Sequence, residues 1–266
     1  MKASILLPLE RPKASREQVK AALEESGIDA VQRGSDFGVA VGGDGVFGYF
    51  GRTQDIPLLF VGVRSDGPTG SKAFMAEVDL SELASALKRI KEGKYRVAES
   101  KRLEATKNGK PIGEIFTDVY LERGSDSNSL RYELSVTGEG LKIEESAIGG
   151  GAVVCTRAGS TGYFSYVDKL RRGDWLDPSA HRVIGAEEVG VCHILPSYTS
   201  RKGLSGHPLR YTVPWGCQVS LALAREADAR LYGVGSKREG MPVGLGDEIT
   251  IIPSAKTTKL VKVSRT

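Results

Sequence analysis

The sequence is poor in the features that mark secreted, metal-binding or membrane-spanning proteins. Its three cysteines are odd in number and lack C-x-x-C spacing, so neither a disulfide framework nor a zinc site is supported, and reduced, buried thiols are expected. No uninterrupted apolar stretch approaches the roughly 20 residues needed to span a bilayer. The N-terminal segment MKASILLPLERP has neither the apolar core nor the cleavage site of a secretory signal. These absences predict a cytoplasmic protein without membrane contact.

The chain also lacks a concentrated excess of charge. Its formal net charge of +4 is spread over 266 residues, which suits small anionic partners and gives no nucleic-acid footprint. Hydrophobic residues make up 40% and charged residues 26%, the balance of an ordinary globular protein. At this length, one large or two modest domains can each bury a core.

What the sequence does contain is an α/β pattern followed by a β-rich remainder. Apolar runs at 4–9, 37–41 and 57–63 predict strands, and a helix with Ser15 as its N-cap is predicted between the first two. This βαβ order favours a parallel sheet. A further helix is predicted to open at 79–82 and to run through Lys91. Beyond it, alternating strands are predicted at 96–101, 113–122, 131–136, 142–145 and 153–156. The pattern predicts an α/β domain over 1–94 and a β-rich domain over 95–266, whose last residues can pack back on the first.

Gly42-Gly43-Asp44-Gly45 is the most informative motif, because it follows the strand at 37–41 and precedes a helix-like stretch at 46–52. Glycines at such a junction offer bare backbone N–H groups to an anion, and the helix N-terminus adds favourable partial charge. An acidic residue inside a phosphate cradle repels phosphate unless a metal ion or a reacting hydroxyl lies between them. Asp44 therefore indicates chemistry as well as binding. The structural alternative is a tight turn in which Asp44 caps the helix.

A second motif, GGAVVCTRAGSTGY at 150–163, again runs from glycines through a strand into a turn rich in glycine and hydroxyl groups. Together the two motifs resemble the NAD kinase family, whose wider superfamily includes diacylglycerol-type lipid kinases and phosphofructokinases. Weaker similarities follow in the same order as in the family, at 74–78, 92–95, 101–103, 115–119, 207–209 and 246–249.

The resemblance implies both a fold and a reaction. The fold is a Rossmann-like N-terminal domain followed by a β-rich C-terminal domain. The reaction moves a phosphoryl group from ATP or inorganic polyphosphate to the 2′-hydroxyl of the adenosine ribose of NAD, which gives NADP. It further implies Mg²⁺ or another divalent metal, held through substrate phosphates with no metal ligands from the protein, and a homodimer or homotetramer.

The resemblance also implies roles for individual residues. Asp44 would orient or deprotonate the attacking hydroxyl. Phosphate and nucleotide binding would fall to Gly42, Gly43, Gly45, Phe47 and Arg157. NAD binding would fall to Phe74, Thr117, Asp118, Thr156, Ser160, Thr161 and Tyr163. For the last four of these, a turn hydroxyl or a core aromatic ring is the structural alternative.

Several positions depart from the family pattern. Val46 stands where threonine is usual, and Thr117-Asp118 replaces an Asn-Glu pair, which shortens the reach by about one methylene. Gly149-Gly150-Gly151 occupies the place of an expected acidic residue. Arg157 is either a replacement phosphate contact or a solvated side chain. These changes place the chain at a divergent edge of the family.

Three other functions remain open on the sequence alone. If turnover has been lost along with the departures from the family pattern at Val46 and Thr117, the chain would be a nucleotide-binding sensor or regulator. A lipid kinase of the same superfamily lacks support from any membrane-binding stretch. Ser160 lies in a turn that resembles a degenerate nucleophile elbow, but His181, His193 and His207 follow it too closely for a hydrolase of that type.

Overall fold

The computed structural model of the chain describes residues 1–8, 14–64, 72–168, 183–203, 206, 208–235 and 239–264. The chain forms two compact units, Met1–Ser100 with Thr257–Thr266, and Lys101–Lys256. The first segment of this unit thus ends at Ser100 and not at the predicted residue 94, and its end lies within a strand that continues without a break from Tyr95 to Lys107.

The first unit has the predicted α/β organisation. Its elements are β1 (Lys2–Leu6), α1 (Arg16–Glu25), β2 (Asp29–Ala30), β3 (Phe37–Gly42), α2 (Asp44–Thr53), β4 (Leu58–Gly62), β5 (Val78–Asp79) and α3 (Leu83–Lys91). The strands pair in parallel in the order β2-β1-β3-β4-β5. The Ser15 side chain accepts a hydrogen bond from the Gln18 amide at 3.0 Å, which confirms the predicted N-cap of α1.

The centre of this sheet explains its continuous apolar runs. Every residue of β3 and β4 is buried, as expected for parallel strands with both faces covered. The buried side chains of α1 and α3 join the same core. Among the described residues, no helix is long and apolar enough to cross a membrane.

The second unit is β-rich, and with the first it confirms the predicted fold class. Its strands are β6 (Tyr95–Lys107), which enters from the first unit, β7 (Lys110–Ile115), β8 (Asp118–Arg123), β9 (Leu130–Gly138), β10 (Leu141–Gly149), β11 (Gly151–Cys155), β12 (Glu188–Ile194), β13 (Tyr198–Lys202), β14 (Arg210–Pro214), β15 (Gln218–Leu223), β16 (Ala229–Tyr232), β17 (Met241–Val243) and β18 (Glu248–Val263), which continues into the first unit. Within the second unit the strands pair in the orders β13-β10-β9-β15-β18 and β14-β12-β11-β8-β16-β17, and the inner faces of both sets share one apolar core.

The predicted strand at 113–122 is divided in the structure. Its two parts are β7 and β8, and Phe116 and Thr117 lie between them. Carbonyl groups at this break accept hydrogen bonds from Thr156 and are therefore not available to a continuous ladder. The sequence carried no local signal for the break, because its cause lies about 40 residues further along the chain.

A buried polar cluster crosses the core of the second unit. The Glu145 carboxylate is ion-paired with Arg201, accepts a hydrogen bond from Tyr211 at 2.5 Å and lies 3.3 Å from His193 Nε2. His193 Nδ1 lies 2.7 Å from the Tyr132 hydroxyl. Burial alone would raise the pKa of Glu145, but hydrogen bonds from His193 and Tyr211, with the charge of Arg201, lower it. The buried Glu145 carboxylate thus has ion-pair and hydrogen-bond partners within the cluster, which gives the cluster a structural role.

Asp247 joins the β6–β7 hairpin to the start of β18. Its carboxylate lies 2.7 Å from Lys107 Nζ and accepts hydrogen bonds from the Asn108 side chain and the Gly244 amide, each at 2.8 Å. The hydrogen bond from Lys107 is the largest cause of a lowered pKa, which falls from 3.8 to about 2.

This shift predicts an acid-sensitive contribution to stability. Because the unfolded chain takes up the proton at the higher pH, the contribution of Asp247 is complete above its unfolded pKa and is lost as the pH falls towards 2. Urea unfolding of the wild type and Asp247→Asn should therefore show a stability difference that shrinks as the pH is lowered from 5 to 2.5. Asp126→Asn, on the exposed loop after β8, is the control. A difference that stays constant across this range would contradict the assignment.

Candidate functional site

The glycine motif of the first unit forms a strand-to-helix junction. β3 ends at Gly42, Gly43 is the N-cap of α2, and the helix begins at Asp44, two residues earlier than predicted. The junction lies at the carboxyl end of a central parallel strand, where ligands bind in such sheets. Gly45 is exposed, and a Cβ added there would meet no atom within 4 Å, so the backbone is open to an approaching ligand.

The Asp44 carboxylate is held by a turn from elsewhere in the first unit. Its two oxygens accept backbone hydrogen bonds from Phe74 at 3.0 Å and Met75 at 2.8 Å. Ala73 has a φ of +47°, a left-handed conformation, and its carbonyl accepts a hydrogen bond from the Ala76 amide at 3.1 Å. Each carboxylate oxygen keeps a further lone-pair direction for a hydroxyl donor. The arrangement can therefore fix the negatively charged Asp44 carboxylate, as an acceptor of hydrogen bonds, at a helix N-terminus, where negative charge is favoured.

Two neighbours of Asp44 pack inward. Val46 contacts the backbone of Gly42 so closely that a Cβ on the glycine would lie 2.7 Å from Val46 Cγ2. Phe47 is fully buried and stacks on Phe60 with ring centroids 4.5 Å apart. The sequence assigned Phe47 to nucleotide binding, but the structure places its side chain in the core, where the apolar helix face requires it. By contrast, Phe74 is 38% exposed.

In the second unit, the structure brings the Thr117-Asp118 pair together with the turn at 156–163. The Thr156 amide donates to the Thr117 carbonyl at 2.8 Å, and the Thr156 hydroxyl donates to the Phe116 carbonyl at 2.6 Å. Gly159 lies against the Thr117 backbone, and a Cβ at this position would overlap the Thr117 carbonyl. The glycine of the motif is thus required by close packing of the two segments.

The hydroxyl groups of this region divide into two classes. Thr156 and Ser160 are buried, and their hydroxyls bond within the protein, that of Ser160 to the Arg157 carbonyl at 2.7 Å. These two side chains shape the turn. Thr161 is partly exposed, and the Thr117 hydroxyl donates to Asp118 Oδ1 at 3.1 Å, which orients that carboxylate.

Tyr163 belongs to an aromatic group that the sequence did not predict. Its hydroxyl donates to Glu122 at 3.1 Å, and its ring packs edge-on against Tyr120, which in turn stacks on Tyr232. Burial, as the largest cause, raises the pKa of Tyr163, and the nearby Glu122 carboxylate raises it further, so the phenol stays protonated. Asp118, Tyr120 and Glu122 alternate along β8 and so share one face. That alternation, beside a predicted site residue, was the available signal.

The remaining predicted residue of this region, Arg157, is exposed in the 3₁₀ turn Arg157–Gly159 and has no hydrogen-bond or ion-pair partner among the described residues. Its guanidinium is therefore available to an anion. Across the described ranges, no group of three or more histidine, cysteine, aspartate and glutamate side chains is placed to hold a metal ion.

The geometry does not support a serine hydrolase. Ser160 is fully buried and its hydroxyl donates to a backbone carbonyl, while His193 lies in the polar cluster with Glu145. His181 and His207 lie outside the described residues.

Comparison with known proteins finds similarity to NAD kinases. No family model matches it. The NAD kinase of Pyrococcus furiosus is 28% identical over 233 residues, which cover 86% of this chain and 74% of the relative. The NAD kinase of Sulfurimonas denitrificans is 37% identical over a shorter segment of 134 residues, which covers 48% of this chain and 44% of the relative.

Solved structures show the same fold. An NAD kinase from Archaeoglobus fulgidus in complex with ATP superimposes with a TM-score of 0.67 at 17% identity, covering 99% of this chain and 94% of that one. Yeast NADH kinase complexed with NADH gives a TM-score of 0.70 at 16% identity, covering 100% and 83% of the two chains.

Proposed function

We propose that the chain is a divergent member of the NAD kinase family, which transfers the terminal phosphoryl group of ATP to the 2′-hydroxyl of the adenosine ribose of NAD and so produces NADP. Inorganic polyphosphate is the alternative donor. The observation that carries the proposal is the fixed carboxylate of Asp44 at the junction of β3 and α2. Phosphoryl transfer needs positioning and charge stabilisation more than covalent chemistry, and this junction offers both.

Asp44 is the proposed catalytic residue. The amides of Phe74 and Met75 hold its carboxylate, which leaves lone pairs directed away from these amides for the acceptor hydroxyl. In that position the carboxylate orients the hydroxyl and takes up its proton as the bond to phosphorus forms. Gly42, Gly43 and Gly45 supply the phosphate-facing backbone at the start of α2.

In the second unit, Thr117 and Asp118 are proposed to bind the adenosine half of the acceptor, together with Thr161 and Tyr163. Thr156 and Ser160 hold the turn that carries Thr161 and Tyr163. Arg157, exposed and without a partner among the described residues, is proposed to contact phosphate.

The site fits a divalent metal that arrives with the nucleotide, because the Asp44 carboxylate lies at the phosphate-facing backbone of the first unit. Mg²⁺ would be held through the substrate phosphates, as the resemblance implies. When bound, the ion neutralises phosphate charge. The enzyme is proposed to act in the cytoplasm and, as the resemblance implies, to form a homodimer or homotetramer.

The experiment that tests the proposal is a direct assay for NADP. Purified protein is incubated with NAD or NADH, Mg²⁺, and either ATP or polyphosphate, and NADP or NADPH is measured with a dehydrogenase specific for the phosphorylated cofactor. We expect product with at least one donor and none without a divalent metal. Tight NAD binding without product, across both donors and several divalent metals, would contradict the proposal.

That contrary result would favour a second function, a nucleotide-binding sensor. The observation behind it is Val46, which packs over Gly42 and has no hydroxyl to offer to phosphate or metal. Val46→Thr distinguishes a sensor from an enzyme that has lost one contact, because only in such an enzyme would a hydroxyl at this position raise turnover.

A further inference from the structure

The segment that follows the 156–163 turn is fastened at several points. The Ser165 hydroxyl lies within hydrogen-bond distance of the Thr161 carbonyl, at 2.9 Å, and the Gly162 carbonyl, at 2.8 Å. Phe164 is fully buried in a small apolar cluster on the outer side of β11 and β12. The backbone on the far side of Tyr163 is therefore ordered by contacts that the proposed reaction does not itself require.

Arg210 makes three contacts to this segment from a neighbouring strand. It is the first residue of β14, where it is paired with Cys192 of β12. Its guanidinium donates to the Phe164 carbonyl at 3.1 Å and to Asp168 Oδ1 at 2.7 Å, and lies 5.0 Å from the centre of the Phe164 ring. The Arg210 and Asp168 side chains are only 8% and 21% exposed, so their interaction is weakly screened by solvent.

We propose that Arg210 is a positioning residue for acceptor binding, which acts by holding the 164–168 segment and through it Tyr163. The inference rests on the proposed function, because acceptor binding is what the positioning serves. Tyr163 is then fixed on both sides, by Glu122 at its hydroxyl and by Arg210 through the adjoining backbone. A planar guanidinium is suited to this role because its donors fork between a carbonyl and a carboxylate while its face covers an aromatic ring.

Loss of Arg210 should weaken acceptor binding more than it slows chemistry. The described side-chain contacts of Arg210 are with Phe164 and Asp168, which are not among the residues proposed for catalysis or for direct acceptor binding. Without the guanidinium, the Phe164 carbonyl and the Asp168 carboxylate lose their described partner, and the 3₁₀ turn Tyr163–Ser165 is released at its far end. The free energy of holding the turn must then come from the acceptor itself.

The test compares Arg210→Met, Arg210→Lys and Asp168→Asn with the wild type in steady-state kinetics and in NAD binding by calorimetry. For Arg210→Met we expect the Kd and KM for NAD to rise roughly 5- to 20-fold, as for loss of charge-assisted hydrogen bonds, with kcat within about twofold. Arg210→Lys keeps the charge but loses the forked pair of donors, and its Kd and KM for NAD should lie between those of the wild type and Arg210→Met. Arg131→Gln, at an exposed arginine on β9, is the matched control and should leave both constants unchanged.

Hydrogen–deuterium exchange of the ligand-free protein tests the positioning without reference to function. Amides in the 162–168 peptide should exchange roughly fivefold or more faster in Arg210→Met and Asp168→Asn than in the wild type, with exchange in β9 unchanged. A wild type that makes no NADP would refute the proposed function, whereas faster exchange with unchanged NAD affinity would refute only the positioning role. Equal exchange in variant and wild type would overturn the proposal outright. If Arg210→Met does not fold, Arg210→Lys and Asp168→Asn carry the same test.

Discussion

Replacement of Asp44 by asparagine is expected to lower turnover by roughly 10²- to 10⁴-fold, the usual range for loss of a positioned general base. The substitution keeps the shape of the side chain but removes its charge and basicity. Acceptor affinity should change far less, because other residues are proposed to bind the adenosine half. The measurement is kcat and KM for NAD, together with NAD binding by calorimetry.

The surroundings of Asp44 define the control. An asparagine amide group would face one of the two backbone amides that now donate to the carboxylate, so a modest loss of stability is expected as well. Asp36 also accepts a hydrogen bond from a backbone amide, that of Lys2 at 2.7 Å, and Asp36→Asn measures this cost away from the site. Near-normal turnover in Asp44→Asn, at a melting temperature matched to Asp36→Asn, would refute the catalytic role.

Asp118→Ala is expected to weaken acceptor binding by roughly 10- to 150-fold, as for loss of a charge-assisted hydrogen bond worth about 1.5 to 3 kcal/mol. Asp118 begins β8, and its carboxylate is oriented by the Thr117 hydroxyl at 3.1 Å. The effect should appear in the Kd and KM for NAD, with kcat at saturating NAD changed much less.

Two further substitutions sharpen this experiment. Thr117→Val removes the orienting hydroxyl without removing the carboxylate and should give a smaller loss of affinity in the same direction. Asp126→Ala removes a carboxylate from the exposed loop after β8 and should have no effect. Unchanged NAD affinity in Asp118→Ala would show that the pair serves only the strand.

The parts of the fold and site that could be predicted from sequence are those with local causes. A fully apolar strand followed by glycines and a helix identifies the junction at Asp44, because strand, turn and helix signals all lie within about 16 residues. The N-cap at Ser15 is local in the same sense. The helix nevertheless begins at Asp44 itself, so the idea that Asp44 caps a helix beginning at Val46 is wrong, and Gly43 is the N-cap.

What the sequence did not reveal depends on contacts between distant segments. The amides that hold Asp44 lie 30 and 31 residues further along the chain, and no periodicity reports such a pairing. The break at Thr117 arises from Thr156, and the burial of Phe47 from its contact with Phe60. A residue type suited to ligand binding is equally suited to a core or a turn, so only tertiary structure separates the two roles.

The most direct test of the proposed function is the chemical identity of the product. The protein is incubated with NAD, Mg²⁺ and ATP labelled in its γ-phosphate, and the product is isolated and examined by mass spectrometry and phosphorus NMR. The proposed function predicts that the label appears as a monoester on the 2′-hydroxyl of the adenosine ribose, with ADP formed in equal amount, and that Asp44→Asn greatly slows its appearance. Label on any other hydroxyl, or ATP consumed at the same rate without NAD, would contradict it.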